Sequence, residues 1–332
     1  MRRERMLGHK DCTTANELLD ELDVARGHLW QKNRDSLFSD RGWVFRGVWD
    51  ATTPLRPSAF RQDAFAPFHN PAESAAPIDS AEKQRNWEDR VLVDFCTEVD
   101  HLGFHVPGDR PELRDPRLAI LRYDPHRFPP IEKLHMCALA QHYGVPTRLL
   151  DWTRQPLIAA YFAVEKFTRL DSEIAPDHRC VVWALDQGLV QEMARRSVRR
   201  ETNRRLAIRS PADPDIFFVT APLASKPNLA AQSGVFTLVQ PRSGDPHPIP
   251  DIDEALGQLA RRVPNRWASD GPFLHKFTLP ATQARLALRL LAAKGVHAGT
   301  VRPGFASIVD MYRERRHHHR DGAPPLIKNA KS

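Results

Sequence analysis

The thirteen residues Gln141-His142-Tyr143-Gly144-Val145-Pro146-Thr147-Arg148-Leu149-Leu150-Asp151-Trp152-Thr153 constrain this chain more than any other stretch. They crowd imidazole, guanidinium, carboxyl and hydroxyl groups among Leu and Trp, then run directly into an apolar helical pattern from Pro156 to Phe167. A segment that only filled a core would be poorer in such groups, because burying a hydroxyl without a partner costs roughly 2–7 kcal/mol and an unpaired charge far more. A solvated loop would not gather Tyr143, Leu149, Leu150 and Trp152 so closely. The mixture points to a polar site built on an apolar support.

With 332 residues, 41% of them apolar and 27% charged, the chain has the make-up of a globular protein with a sizeable core. No run approaches the roughly 20 apolar residues that cross a bilayer, so no membrane partner is expected. No apolar stretch follows Met1-Arg2-Arg3-Glu4-Arg5, so no secretory leader is expected and a cytoplasmic location is. Cys12, Cys96, Cys137 and Cys180 are scattered without metal-ligand spacing, which reads as four buried thiols and indicates no metal.

The net charge of +7 suits a polyanionic partner. Arg195, Arg196, Arg199, Arg200, Arg204, Arg205 and Arg209 recur at helical spacing, and Arg313 to Arg320 forms a second basic stretch. A solvated helix face with a basic tail explains both. Contact of the Arg195–Arg209 region with nucleic acid is the alternative, and it would show as salt-dependent binding.

Along the chain, residues 1–38 read as a helical lead-in, with Thr13-Thr14-Ala15-Asn16-Glu17 as a cap before Leu18, Leu19 and Leu22. Strands are expected at Trp43–Gly47, Cys180–Leu185, Phe217–Val219, Gly234–Val239 and His275–Leu279. Helices are expected at Trp87–Leu102, Ile131–Tyr143, Leu157–Phe167, Leu189–Ile208, Ala281–Lys294 and Phe305–Arg316. Residues 62–82 and 109–130, rich in Pro, read as irregular, and the tail 317–332 carries no core pattern and is expected to be mobile. The expected class is α+β: one large domain over 39–316 with a mixed, mostly antiparallel sheet flanked by helices.

These residues resemble the FRG domain family. Trp43-Val44-Phe45-Arg46-Gly47 is similar to its Phe/Tyr-Arg-Gly signature, and residues 141–153 with Pro156-Leu157-Ile158-Ala159-Ala160-Tyr161-Phe162-Ala163 are similar to its central motif. Val182–Asp186, Gln232–Thr237 and residues 276–312 resemble its later parts, in order. A second resemblance, in layout, is to ADP-ribosyltransferases. A strand ending in Arg-Gly, a second strand leading into an Ala-x-x-Phe-Ala helix, and a later strand introduced by an acidic or amide residue would here be Phe45-Arg46-Gly47, Leu149–Thr153 with Ala159–Ala163, and Gln232 before Gly234.

The layout implies a nucleotide ligand, with NAD as substrate, and implies roles for Arg46, Asp151, Gln232 and His142 in the chemistry. Gly47, Gln141, Tyr143, Arg148, Trp152, Thr153 and Tyr161 would contact the ligand. Each residue also has a plainer reading. Arg46 grips a phosphate through paired hydrogen bonds, or it forms an internal salt bridge for which Asp151 is a candidate. Gly47 lets backbone approach a ligand. Gln141 and His142 cap helix carbonyls, or His142 moves a proton. Arg148 pairs with Asp151 three residues away, Thr153 binds a ribose or caps the next helix, and Trp152 and Tyr161 stack on a ring or fill the core.

Gln232 stands where the transferase layout carries Glu. An amide accepts a hydrogen bond from a ribose but brings no negative charge to a developing cation, so Asp151 would have to supply it. The expected function is therefore an NAD-using, ADP-ribosyltransferase-like effector, with a toxin or phage-defence role. The alternative is a non-catalytic module binding a nucleotide or nucleic acid. Nuclease and hydrolase readings lack clustered carboxylates and a G-x-S-x-G elbow.

Overall fold

The computed structural model describes residues 6–23, 25–27, 29, 42–68, 78–106, 108, 128–168, 175, 177–203, 214–220, 231–241, 250–262 and 271–319. Within them one seven-stranded sheet organises the chain. Its strands are β1 (Leu7–Asp11), β2 (Trp43–Val48), β3 (Leu149–Thr153), β4 (Arg179–Asp186), β5 (Pro214–Val219), β6 (Gly234–Pro241) and β7 (Leu274–Pro280), in the spatial order β1-β7-β4-β2-β3-β6-β5. Only β1 runs parallel to its neighbour, and every other pairing is antiparallel. The class is α+β, as the residue pattern indicates.

The helices are α1 (Ala15–Leu22), α2 (Ala81–His101), α3 (Leu134–His142), α4 (Pro156–Val164), α5 (Gln187–Asn203), α6 (Ile252–Arg262), α7 (Ala284–Ala293), the short α8 (Ala298–Val301) and α9 (Phe305–His319). Alternation along β4 sends Cys180, Val182 and Ala184 into a core with α1, α4 and α7, and Val181, Trp183 and Leu185 into a second core with α5 and α6. A third cluster joins α2 and α3 to Leu149, Phe236 and Leu238.

Local chemistry explains the ends of several elements. Thr14 accepts from the Glu17 amide while Glu17 accepts from the Thr13 amide, so the cap expected before α1 forms. Gly144 and Gly295 close α3 and α7 at φ +90 and +81, a conformation glycine adopts without penalty. All four cysteines are buried thiols, and burial pushes Cys12 and Cys180 up to about 12.

The helical lead-in expected over 1–38 requires correction. Leu7–Asp11 is an edge strand on β7, a stretch too short and too polar to announce its pairing locally. Ile252–Arg262 adds a helix that the residue pattern did not indicate. In the arginine-rich helix α5, side chains from Arg196 onward and residues 204–209 lie outside the described residues. Arg195 pairs with Glu192 one turn earlier. The tail beyond 319 also lies outside them. No helix among the described residues is long and apolar enough to cross a membrane.

Candidate functional site

The middle of the sheet is split. Strands β2 and β3 keep a single registered pair, Phe45 with Thr153, although β2 pairs with β4 along its whole length and β3 with β6 along its own. A cavity of about 690 Å³ opens where they part, within the 300–1,000 Å³ usual for small-ligand sites. Phe45 to Trp49 form one wall and Asp151 to Thr153 another. Gln141, His142 and Tyr143 come from the end of α3, and Gln232, Gly234 and Phe236 from β6 and its approach.

Arg46 and Asp151 meet at this split. The Arg46 Nη1 lies 2.8 Å from Asp151 Oδ1 and donates to the Asp151 backbone carbonyl at 2.7 Å. The guanidinium thus bridges the two strands where their ladder has stopped. Gln141 Nε2 donates to the same carboxylate at 3.2 Å, and the Gln141 carbonyl accepts from the Thr147 hydroxyl, which fixes its orientation. Burial alone would raise the Asp151 carboxyl, but the charge and hydrogen bond of Arg46 outweigh it and hold the group below the usual carboxylate range. Asp151 is therefore an anion with its side chain 62% accessible, on the cavity side of a guanidinium that is only 13% accessible.

The structure brings nine of the eleven residues singled out above to this cavity: Arg46, Gly47, Gln141, His142, Tyr143, Asp151, Trp152, Thr153 and Gln232. Several are already engaged there. Thr153 donates to the Gln232 carbonyl at 2.6 Å and accepts from the Gln155 amide at 3.0 Å, so its hydroxyl ties β3 to the approach of β6. The Gln232 side-chain amide donates to the Val301 carbonyl at 3.2 Å. Trp152 packs in the core and donates its indole N–H to Thr237 at 3.0 Å. His142 and Tyr143 sit edge to face with ring centroids 5.2 Å apart, and Tyr143 is exposed.

Two of the eleven lie elsewhere. Arg148 does not pair with Asp151. It is 2% exposed and donates to both carboxylate oxygens of Glu88 at 2.8 Å, and to the Phe128 carbonyl at 3.0 Å. Arg148 lies just before β3 and is drawn inward by Glu88, whereas Asp151 on the strand faces the cavity. Tyr161 is buried and donates to Glu314 at 2.6 Å. Gly47 needs its missing side chain for a different neighbour than a ligand, because a Cβ there would lie 1.8 Å from the Ala159 carbonyl oxygen of α4.

Other lining residues escaped the sequence reading. Arg61, Lys166 and Arg302 add positive charge, Glu165 adds a carboxylate, and Trp49 and Phe162 add rings. Arg302 is held by Glu165 and lies over Phe162 at 5.3 Å, while Lys166 lies over Trp49 at 5.1 Å. Arg61 donates from Nε and Nη2 to the Arg56 carbonyl at 3.3 and 3.2 Å. They come from segments more than a hundred residues apart, with no shared period to reveal them. With Arg46 they place four cations against two carboxylates, a balance that favours an anionic ligand.

The described fold is thus a split-sheet α+β architecture with an arginine-lined hollow at the split. The family model of the FRG domain matches residues 115–172, which span the α3–β3–α4 unit that builds one side of the cavity, so the chain carries an FRG domain. No curated protein and no solved structure matches it.

Proposed function

We propose that the cavity binds NAD and that this FRG domain protein acts by ADP-ribosyl transfer, as an effector of toxin or phage-defence type. One observation carries the reading. The three elements of the transferase layout, β2 with Arg46, β3 with Asp151 leading into α4, and β6 introduced by Gln232, are consecutive neighbours in the sheet and line one cavity.

In this reading the arginines hold the dinucleotide phosphates, as planar guanidinium donors do. The bond from the ribose C1′ to the nicotinamide nitrogen breaks, the nitrogen keeps the electron pair, and an acceptor nucleophile forms the new bond to C1′. Positive charge grows on the ribose as the bond lengthens. Asp151, kept ionised by Arg46, is the carboxylate placed to stabilise that charge. His142 lines the same hollow and is the residue suited to take the acceptor's proton near neutral pH.

A second reading, binding without turnover, is favoured by Gln232. Its amide N–H is spent on the Val301 carbonyl, and it brings no charge to the ribose. One experiment separates the two: purified protein incubated with labelled NAD, with and without cell extract. Nicotinamide release with a labelled product supports transfer, and NAD binding without release supports the second reading. Failure of NAD to bind removes transfer and leaves the second reading only for another nucleotide or for nucleic acid.

A further inference from the structure

We propose that Arg46 and Arg61 form a two-guanidinium clamp for a diphosphate group, and that the Asp151 carboxylate occupies the clamp's anion position until a ligand displaces it. The inference rests on the nucleotide reading above and deepens it, naming the part of the ligand that is held and the residue that competes for the same place.

The geometry has three parts. Arg46 spends Nη1 on both of its contacts with Asp151, and its Nε and Nη2 have no partner among the described residues. Arg61 is anchored through Nε and Nη2 on the Arg56 carbonyl, which leaves Nη1 as its remaining donor on a residue that lines the same cavity. Asp151 has Oδ1 shared between Arg46 and Gln141, and it projects into the cavity rather than into the core. Two cations therefore flank one carboxylate.

The electrostatics agree with that placement. Burial and the neighbouring charge of Arg46 depress the Arg61 guanidinium, while Asp151 opposes them, so both groups act on Arg61 across the hollow. A single carboxylate answers one of the two charges. A diphosphate carries at least two and offers oxygens to both forks, whereas orthophosphate cannot span two anchored guanidiniums as well. Asp151 thus acts as an internal competitor, so its loss should tighten the binding of an incoming anion rather than weaken it.

The test is calorimetric titration of the full chain with inorganic pyrophosphate, orthophosphate and NAD. Wild-type protein is expected to bind pyrophosphate in preference to orthophosphate. Arg61→Gln should weaken pyrophosphate about tenfold or more, the size of a lost charge-assisted hydrogen bond, and Asp151→Asn should tighten it severalfold. Unchanged affinity in Arg61→Gln, or weakened binding in Asp151→Asn, overturns the clamp.

If Arg61→Gln melts early, Arg61→Lys is read instead. It keeps the charge and loses the fork, so it must weaken pyrophosphate more than orthophosphate, and wild-type affinities there overturn the proposal. Pyrophosphate binding without NAD binding leaves the clamp and removes the NAD reading. NAD binding that is indifferent to Arg61 does the reverse. A single-stranded oligonucleotide that binds better than pyrophosphate and depends equally on Arg61 overturns the clamp in favour of a phosphodiester site.

Discussion

Gly47 packs directly beneath Ala159, so close that a Cβ on the glycine would sit 1.8 Å from the Ala159 carbonyl oxygen and 2.7 Å from the Ala163 amide nitrogen. The contact seats α4 on β2 next to Arg46 and so sets how deep the cavity wall lies. Both obstructing atoms are backbone, which cannot swing aside. Gly47→Ala should therefore cost about 3 kcal/mol or more, at or above the upper end for overpacking. Denaturant unfolding measures this, and a loss below about 1 kcal/mol would show that α4 yields easily.

Arg148 and Glu88 form a buried two-point ion pair, with the guanidinium lying 4.5 Å over the Phe128 ring and Gln84 supporting the carboxylate at 3.0 Å. Arg148→Met strands a buried carboxylate and should lower stability by about 3–5 kcal/mol. Adding Glu88→Gln should recover much of that loss. Unfolding curves of the single and double variants check it. A double variant no more stable than the single would refute the stranded-charge account.

Asp151 supplies a pH signature. Its folded value is held below the ordinary carboxylate range by Arg46, against the opposing effect of desolvation. A depressed carboxyl contributes stability that is fully present above the unfolded value and is lost as pH falls through the folded one. The contribution should begin to fall at about pH 4 and be gone once pH has dropped below the folded value, where wild type and Asp151→Asn should converge in melting temperature. A gap between them that stays constant from neutral to acid would rule out the linkage. The effect should be small, because the carboxylate is accessible and partly screened.

Gln232→Glu puts a carboxylate where the transferase layout has one. It also turns a donor to the Val301 carbonyl into an acceptor that this oxygen repels, which favours its release toward the cavity. If the NAD reading holds, nicotinamide release should rise about tenfold or more. Chromatographic assay of free nicotinamide reads this out. Equal rates in the two proteins would remove position 232 from the chemistry.

The thiols give a test of the core. Burial raises Cys12 and Cys180 to about 12 and Cys137 further still, so the reactive thiolate is scarce near neutral pH. A thiol reagent should label none of the four buried cysteines within minutes on native protein, and all four after denaturation. Rapid labelling of any one on native protein would locate a region that opens.

What the residues alone determined was local. Period-two and period-3.6 patterns placed β2, β4, β6 and β7 and the helices α2, α3, α4 and α7, because apolar spacing is written in neighbouring positions. The dense motif at 141–153 marked one wall of the cavity for the same reason. Tertiary structure decided the rest. Leu7–Asp11 becomes a strand only because β7 offers an edge to it. Arg148, just before β3, finds Glu88 of α2 sixty positions away rather than Asp151 three away, because the packing of α2 brings a buried carboxylate to it while Asp151 faces the cavity. Arg61, Lys166 and Arg302 reach the hollow only after the sheet, α4 and the C-terminal helices have packed. Charges brought together across long stretches of chain leave no period behind, and it is folding that makes them neighbours.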